Sequence, residues 1–138
     1  MSRWPAVAAA LAAAGFADSA YLTALHYDQR MPLYCAGGVF HCSQVLTSSS
    51  SAVAGVPVAA AGLVWFAGML FLALRARGPA LAGLRPAVLA WSAAGVAAVL
   101  LLIYTELFVV GALCLWCSVA HLLVLVLFAG NLVHWWAA

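Results

Sequence analysis

Four cysteines, Cys35, Cys42, Cys114 and Cys117, carry most of the chemistry open to this chain. They fall into two pairs. Cys114-Leu115-Trp116-Cys117 is a CxxC, and Cys35 and Cys42 stand seven residues apart. Such a set supports three kinds of chemistry. Two structural disulfides are the first. A CxxC disulfide closes almost no loop and so constrains the unfolded chain little, which makes stability a weak reason for that spacing. A four-thiolate zinc site is the second, although zinc sites usually keep a C-x₂₋₄-C spacing in both halves. The third is a two-step thiol–disulfide relay, in which one thiol of the CxxC is activated by a depressed pKa. A helix N-terminus does that, and the sequence puts Cys114 close to one.

The elements that must position these cysteines are membrane helices. The chain has 138 residues, enough for one domain. Its hydrophobic share is 69% and its charged share 6%, against about 45–50% and 25% in soluble domains. It has five arginines and no lysine, and the arginines form no basic stripe, so a nucleic-acid partner is not expected. Four stretches reach the roughly 20 apolar residues a bilayer requires: about 5–25, 52–74, 86–105 and 108–132. Continuous apolar runs without alternation exclude a β-barrel, which leaves helices. The expected fold is an all-α membrane protein, a four-transmembrane-helix bundle forming a single domain over residues 1–138. A long extracytoplasmic loop, 26–51, joins helices 1 and 2. Met1–Ala20 shares features of a signal peptide. The apolar run continues through Leu25, which favours a retained first span.

Arginine placement orients the bundle. Arg3, Arg75, Arg77 and Arg85 fall on one side and Arg30 on the other. Both termini are therefore expected in the cytoplasm, and all four cysteines outside, where disulfides are permitted. At roughly 100° per residue, Cys114, Cys117 and His121 share one helical stripe, with Ser118 nearby. An ionisable residue at the depth of His121 is a functional candidate; a structural histidine bonded to a backbone carbonyl is the plainer reading. A dithiol relay ending in a membrane needs a lipid-soluble two-electron acceptor, and quinones have that property. Their carbonyls need hydrogen-bond donors as negative charge develops.

Together these features resemble the vitamin K epoxide reductase family in its bacterial form. The resemblance rests on Ala20-Tyr21-Leu22-Thr23, on Cys35, and on Cys42-Ser43-Gln44-Val45-Leu46-Thr47-Ser48. It extends through Gly55-Val56-Pro57-Val58 with Gly62 to the CxxC, in that order along nearly the whole chain. It implies a four-helix bundle around a quinone of the menaquinone, ubiquinone or vitamin K type, with no metal. Cys35 would exchange electrons with a thioredoxin-like (DsbA-like) protein, Cys42 would pass them to Cys114, and Cys117 would face the quinone and form an adduct with it. Ser48, Leu46, Val58 and His121 would line the quinone site. His121 stands where animal members carry a tyrosine, and Val58 where they carry an asparagine, which favours quinone over epoxide as substrate. No fused thioredoxin domain follows Trp135-Trp136-Ala137-Ala138, so the partner is expected to be a separate protein.

The resulting expectation is a thiol oxidoreductase of the bacterial inner membrane that supports disulfide formation in exported proteins. The alternatives are a vitamin K epoxide or quinone reductase proper, a DsbB-type oxidase, and a non-catalytic disulfide-bonded scaffold. The DsbB type places its CxxC near the first outer loop, the reverse of the order here. Among the other polar residues, Glu106 is expected at the tip of a turn and His134 at the membrane interface, with Trp135 and Trp136 as anchors. His26 and His41 are expected in the loop. Asp18 is expected to face the outer loop, to pair with an arginine or to lie at a polar helix interface.

Overall fold

Apolar runs with no water to bond their backbone must satisfy it internally, and this chain does so as four long helices. The computed structural model describes residues 3–28, 30–32, 35, 40–77 and 81–137, with the backbone alone for 81, 82 and 135–137. Helix α1 covers Trp4–Tyr27, with a proline in its first turn, where a missing N–H costs nothing. A short helix α2, Cys42–Leu46, is followed by a 3₁₀ turn, Ser49–Ser51, and a two-stranded hairpin, β1 Ala52–Val53 and β2 Val56–Pro57. Helix α3 covers Val58–Arg75 and helix α4 Leu81–Tyr104; α4 continues as a π-helical turn, Thr105–Val110. Helix α5 covers Leu115–Ala137. The four long helices are long and apolar enough to cross a membrane. The expected anchors Trp135 and Trp136 lie outside the described side chains.

Several boundaries differ from the sequence expectation. The second spanning helix starts at Val58 rather than Ala52, because the apolar stretch before it is the hairpin. Its turn uses Ala54 and Gly55 at positive φ (53° and 81°), and Pro57 caps α3 in extended conformation. Apolar content alone cannot tell such a segment from a helical turn. The fourth helix starts at Leu115 rather than at about residue 108, and the third extends to Val110. Gly111, in the left-handed conformation at φ 74°, ends it, donating its N–H to the Glu106 carbonyl (2.8 Å). Glu106 is therefore no turn tip. It lies inside the π turn and is 5% exposed.

Close packing and a few side-chain hydrogen bonds hold the centre of the bundle together. Helix α1 contributes Ala8, Ala9 and Ala12 to a buried cluster with Phe66, Met69 and Leu127. These small residues let α1 and α3 approach closely, as in other membrane bundles. A Cβ on Gly15 would collide with the Phe66 ring, and one on Gly62 would stand 2.8 Å from Ser19 Oγ. Between α3 and α4, each of two indoles donates to the other's backbone: Trp65 Nε1–H to the Trp91 carbonyl and Trp91 Nε1–H to the Trp65 carbonyl, both 2.9 Å. Asn131 on α5 ties three helices together, accepting from Trp4 Nε1–H (2.8 Å) and donating to Ser92 Oγ (2.8 Å). At this end a small crevice lined by Trp4, Ala76, Arg85 and His134 brings together the start of α1, the end of α3, the start of α4 and the end of α5. Neighbouring helices thus run in opposite directions.

The indole pair depends on two glycines. Gly68 faces the Trp91 ring and Gly95 the Trp65 ring, with no room for a Cβ beside either. Replacing either by valine should displace an indole and destabilise the protein by about 1–3 kcal/mol, the usual range for overpacking. Gly83 has nothing within 4 Å of an added Cβ, so Gly83→Ala should leave the melting midpoint unchanged or raised. Thermal unfolding of the three variants in detergent checks the contrast.

Candidate functional site

The two cysteine pairs meet at the start of α5. Cys35 and Cys42 are joined as a disulfide. Residues before α2 reach the connector between α4 and α5 through a parallel bridge, Phe40 with Leu113, and His41 N–H donates to the Leu113 carbonyl (2.7 Å). Gln44 on α2 adds a side-chain bond to the Val110 carbonyl (3.3 Å). This docking buries Cys42, 1% exposed, in one apolar cluster with Cys114, 0% exposed. Leu115 N–H, 73 residues away in sequence, donates to Cys42 Sγ at 3.4 Å.

The CxxC sits at the helix start itself. Cys114 precedes the first helical residue, and Cys117 N–H donates to Cys114 Sγ at 3.3 Å. Ser118 N–H and its hydroxyl both donate to the Cys114 carbonyl (2.9 and 2.7 Å). The Cys117 thiol also hydrogen-bonds Cys114, and that bond is the largest influence holding the Cys114 thiol below the ordinary range. The Cys117 backbone bond acts in the same sense, against burial and the nearby Glu106 carboxylate. Cys114 is thus the thiol prepared to carry negative charge. Of the residues between the pair, Trp116 packs edge-on against Tyr21 of α1, with ring centroids 5.5 Å apart.

A cavity of about 570 Å³ lies beside this pair, walled almost entirely by apolar side chains of all four long helices. Cys117 and His121 line it from α5. Leu46, Ser48 and Val58, the other residues named from sequence for a quinone site, also line it. The Ser48 hydroxyl is itself engaged, donating to the Val45 carbonyl (2.8 Å) at the end of α2. His26 from α1 reaches the wall, while His41 is exposed. Cys35 and Cys42 are not on the cavity wall; they stand behind Cys114.

Sequence reasoning missed Glu106. Its carboxylate lines the cavity and has two neighbours: Oε2 accepts from Cys114 N–H at 3.5 Å, and Oε1 stands 3.9 Å from His121 Nε2. A charge within an apolar span is the signal that could have found it. In the sequence, however, it stands between two apolar runs, where the tip of a turn is the plainer expectation. Asp18 on α1 is buried, and among the described residues neither of its carboxylate oxygens has a hydrogen-bond partner. Arg30 pairs with Asp28 instead (3.3 Å).

A buried dithiol at a helix start, a disulfide packed behind it and an apolar cavity in front thus stand together at one end of the bundle. In a comparison with known families, residues 6–132 match the vitamin K epoxide reductase family.

The thiol geometry can be read by pH. A lower pKa means more thiolate at a given pH, so the Cys114 thiolate should form below the pH at which an ordinary cysteine ionises. In a Cys35→Ser/Cys42→Ser background Cys114 and Cys117 are the only thiols left. There, adding Cys117→Ala should move the onset of thiolate ultraviolet absorbance to higher pH, because the bond from Cys117 is lost. An unchanged onset would show that Cys117 does not set the Cys114 pKa.

Proposed function

The chain belongs to the vitamin K epoxide reductase family, and from that premise we propose that this membrane thiol–disulfide oxidoreductase passes electrons from a thioredoxin-like protein to a quinone, with residues 1–138 acting as one domain. The observation that carries the reading is the cavity of about 570 Å³ with Cys117 and His121 on its wall. Its volume and apolar lining, with few polar groups, suit a small lipid-soluble ligand. A bound quinone supplies an acceptor for two electrons and two protons. Leu46 and Val58 would hold its apolar body, and His121 would offer a hydrogen bond to a ring oxygen. Val58 supplies no hydrogen bond at its place on the wall, which favours quinone over epoxide.

Cys35 is the more exposed member of its pair and is the natural point of attack for a partner thiol. Attack there releases Cys42, whose sulfur is already seated at the start of α5. Cys42 then reduces an oxidised Cys114–Cys117 pair through Cys114, and Cys117 delivers the electrons at the cavity wall. The end of the bundle carrying Arg3, Arg75, Arg77 and Arg85 would face the cytoplasm by the positive-inside tendency. The redox end would then face the oxidising side of a bacterial cell membrane, where the partner makes disulfides in exported proteins.

The test is anaerobic. Purified oxidised protein is mixed with a reduced thioredoxin-like protein and menaquinone or ubiquinone, and quinol is followed. Quinol should form in proportion to partner thiols oxidised; none from the wild type would end the proposal. Cys35→Ser should abolish turnover with the protein partner but retain turnover with a small dithiol that can reduce Cys114–Cys117 directly. If both activities survive, the order of the relay is wrong.

His121→Phe keeps an aromatic ring but removes the hydrogen-bonding nitrogens. Loss of one well-placed hydrogen bond, about 1.4 kcal/mol, corresponds to tenfold in an equilibrium constant. The variant should therefore raise the quinone KM or lower kcat by at least about tenfold. Steady-state kinetics matching the wild type would return His121 to a structural role.

A further inference from the structure

Electrons and protons must reach the same place in this site, and only the electrons have a route made of sulfur. Closing the Cys114–Cys117 disulfide breaks two S–H bonds and forms one S–S bond. Two electrons and two protons leave, and a quinone acceptor takes up both electrons and both protons as it becomes a quinol. The wall between thiols and cavity is apolar except at a few residues. A proton released there needs a carrier, because a bare charge in such surroundings is costly.

Glu106 occupies the place where a carrier is needed. One carboxylate oxygen lies against Cys114, accepting its backbone N–H at 3.5 Å, and the other lies 3.9 Å from His121 Nε2. Glu106 and His121 are both at most 8% exposed, and both line the cavity. The two thiols hydrogen-bond one another, so a proton on Cys117 has a path to Cys114. We infer that Glu106 is the proton carrier of the site, taking protons from the Cys114–Cys117 pair and passing them to His121, which presents them to the acceptor. This rests on the quinone reading above and adds the proton half of the same reaction.

The relay closes its balance as a cycle. The Glu106 carboxylate takes a proton from Cys114 as the sulfur gains negative charge. As a carboxylic acid it rotates toward His121, and the 3.9 Å gap is closed by that rotation or by one bridging water. The imidazole accepts the proton at Nε2, which restores the carboxylate, and gives that same proton to the acceptor in the cavity it lines, so that Nε2 is free again. The cycle runs once for each thiol. The π turn serves this role, since such turns widen the helix and re-aim a side chain. Asp18 on α1 is a second buried acid, but it is absent from the cavity wall.

Glu106→Gln tests the assignment, because the amide oxygen still accepts from Cys114 N–H while the side chain no longer exchanges a proton. With a small dithiol as electron donor, its kcat for quinol formation should fall about 100-fold, within the usual range for a lost general acid–base group, while KM for quinone stays within about threefold. Glu106→Asp keeps the acid and should retain at least about ten times the kcat of Glu106→Gln. Equal losses in both variants, or a Glu106→Gln rate within about threefold of the wild type, would overturn the relay.

A second reading needs no quinone. With no quinone to take the proton onward, Glu106 should hold it in the disulfide form, so the infrared difference spectrum between dithiol and disulfide forms of quinone-free protein should contain a protonated-carboxyl band that shifts in D₂O and vanishes in Glu106→Gln. Identical spectra from wild type and variant would overturn the proposal. If the wild type makes no quinol at all, the acceptor reading falls, and the infrared band alone decides whether Glu106 exchanges protons with the thiols.

Discussion

A helix that begins within an apolar layer has first-turn N–H groups with no partner of its own and little water to take them. In α5 these donors are met by sulfur and carboxylate. Cys114 N–H goes to Glu106, Leu115 N–H to Cys42 Sγ and Cys117 N–H to Cys114 Sγ. Each bond satisfies a donor and also fixes a redox or acidic group. The positive end of the helix dipole favours negative charge on those same acceptors. The arrangement of the redox end follows from this one requirement. It explains why the disulfide segment docks against the Leu113–Leu115 stretch and why an acid from α4 is buried there.

The rest of the bundle holds this terminus still. Small residues on α1 let α3 pack tightly, and the reciprocal Trp65–Trp91 bonds fix α3 against α4. The Asn131 bonds to Trp4 and Ser92 pin the far end of α5 to α1 and α4. Polar side chains of this kind are worth having in a lipid-embedded bundle, where apolar contact alone discriminates little between packings. With both ends of α5 bonded to its neighbours, Cys117 and His121 are set on the wall of the cavity between α1, α3, α4 and α5.

Much of this was legible in the sequence. Four apolar runs gave the four spanning helices, since nothing else satisfies a backbone in lipid. The CxxC spacing and the 3.6-residue period placed Cys117 and His121 on one face, and both line the cavity. What could not be read was set by backbone conformation. Ala52–Pro57 is as apolar as a helix, yet Ala54 and Gly55 turn it into a hairpin. Glu106 looked like a polar break between spans because charge usually marks a boundary. Its burial depends on α4 continuing as a π turn to Val110, a choice the residue types alone do not announce.

That π turn and the glycine after it decide where the redox chemistry can occur. Had α5 begun near residue 108, as the apolar run suggested, the N–H groups of Cys114, Leu115 and Cys117 would all have bonded carbonyls four residues back. No donor would then remain for Cys114 Sγ or Cys42 Sγ, and the CxxC would be an ordinary stretch of helix. Gly111 prevents this. Its left-handed backbone lets its own N–H and that of Ala112 return to the Glu106 carbonyl, at 2.8 and 3.1 Å, closing α4. The chain then restarts as α5 at Leu115, immediately after Cys114. The same closure holds the Glu106 backbone in place, so its side chain projects toward the new helix start. One break in an apolar run thus frees the donors that seat the sulfurs and delivers the acid that stands beside them.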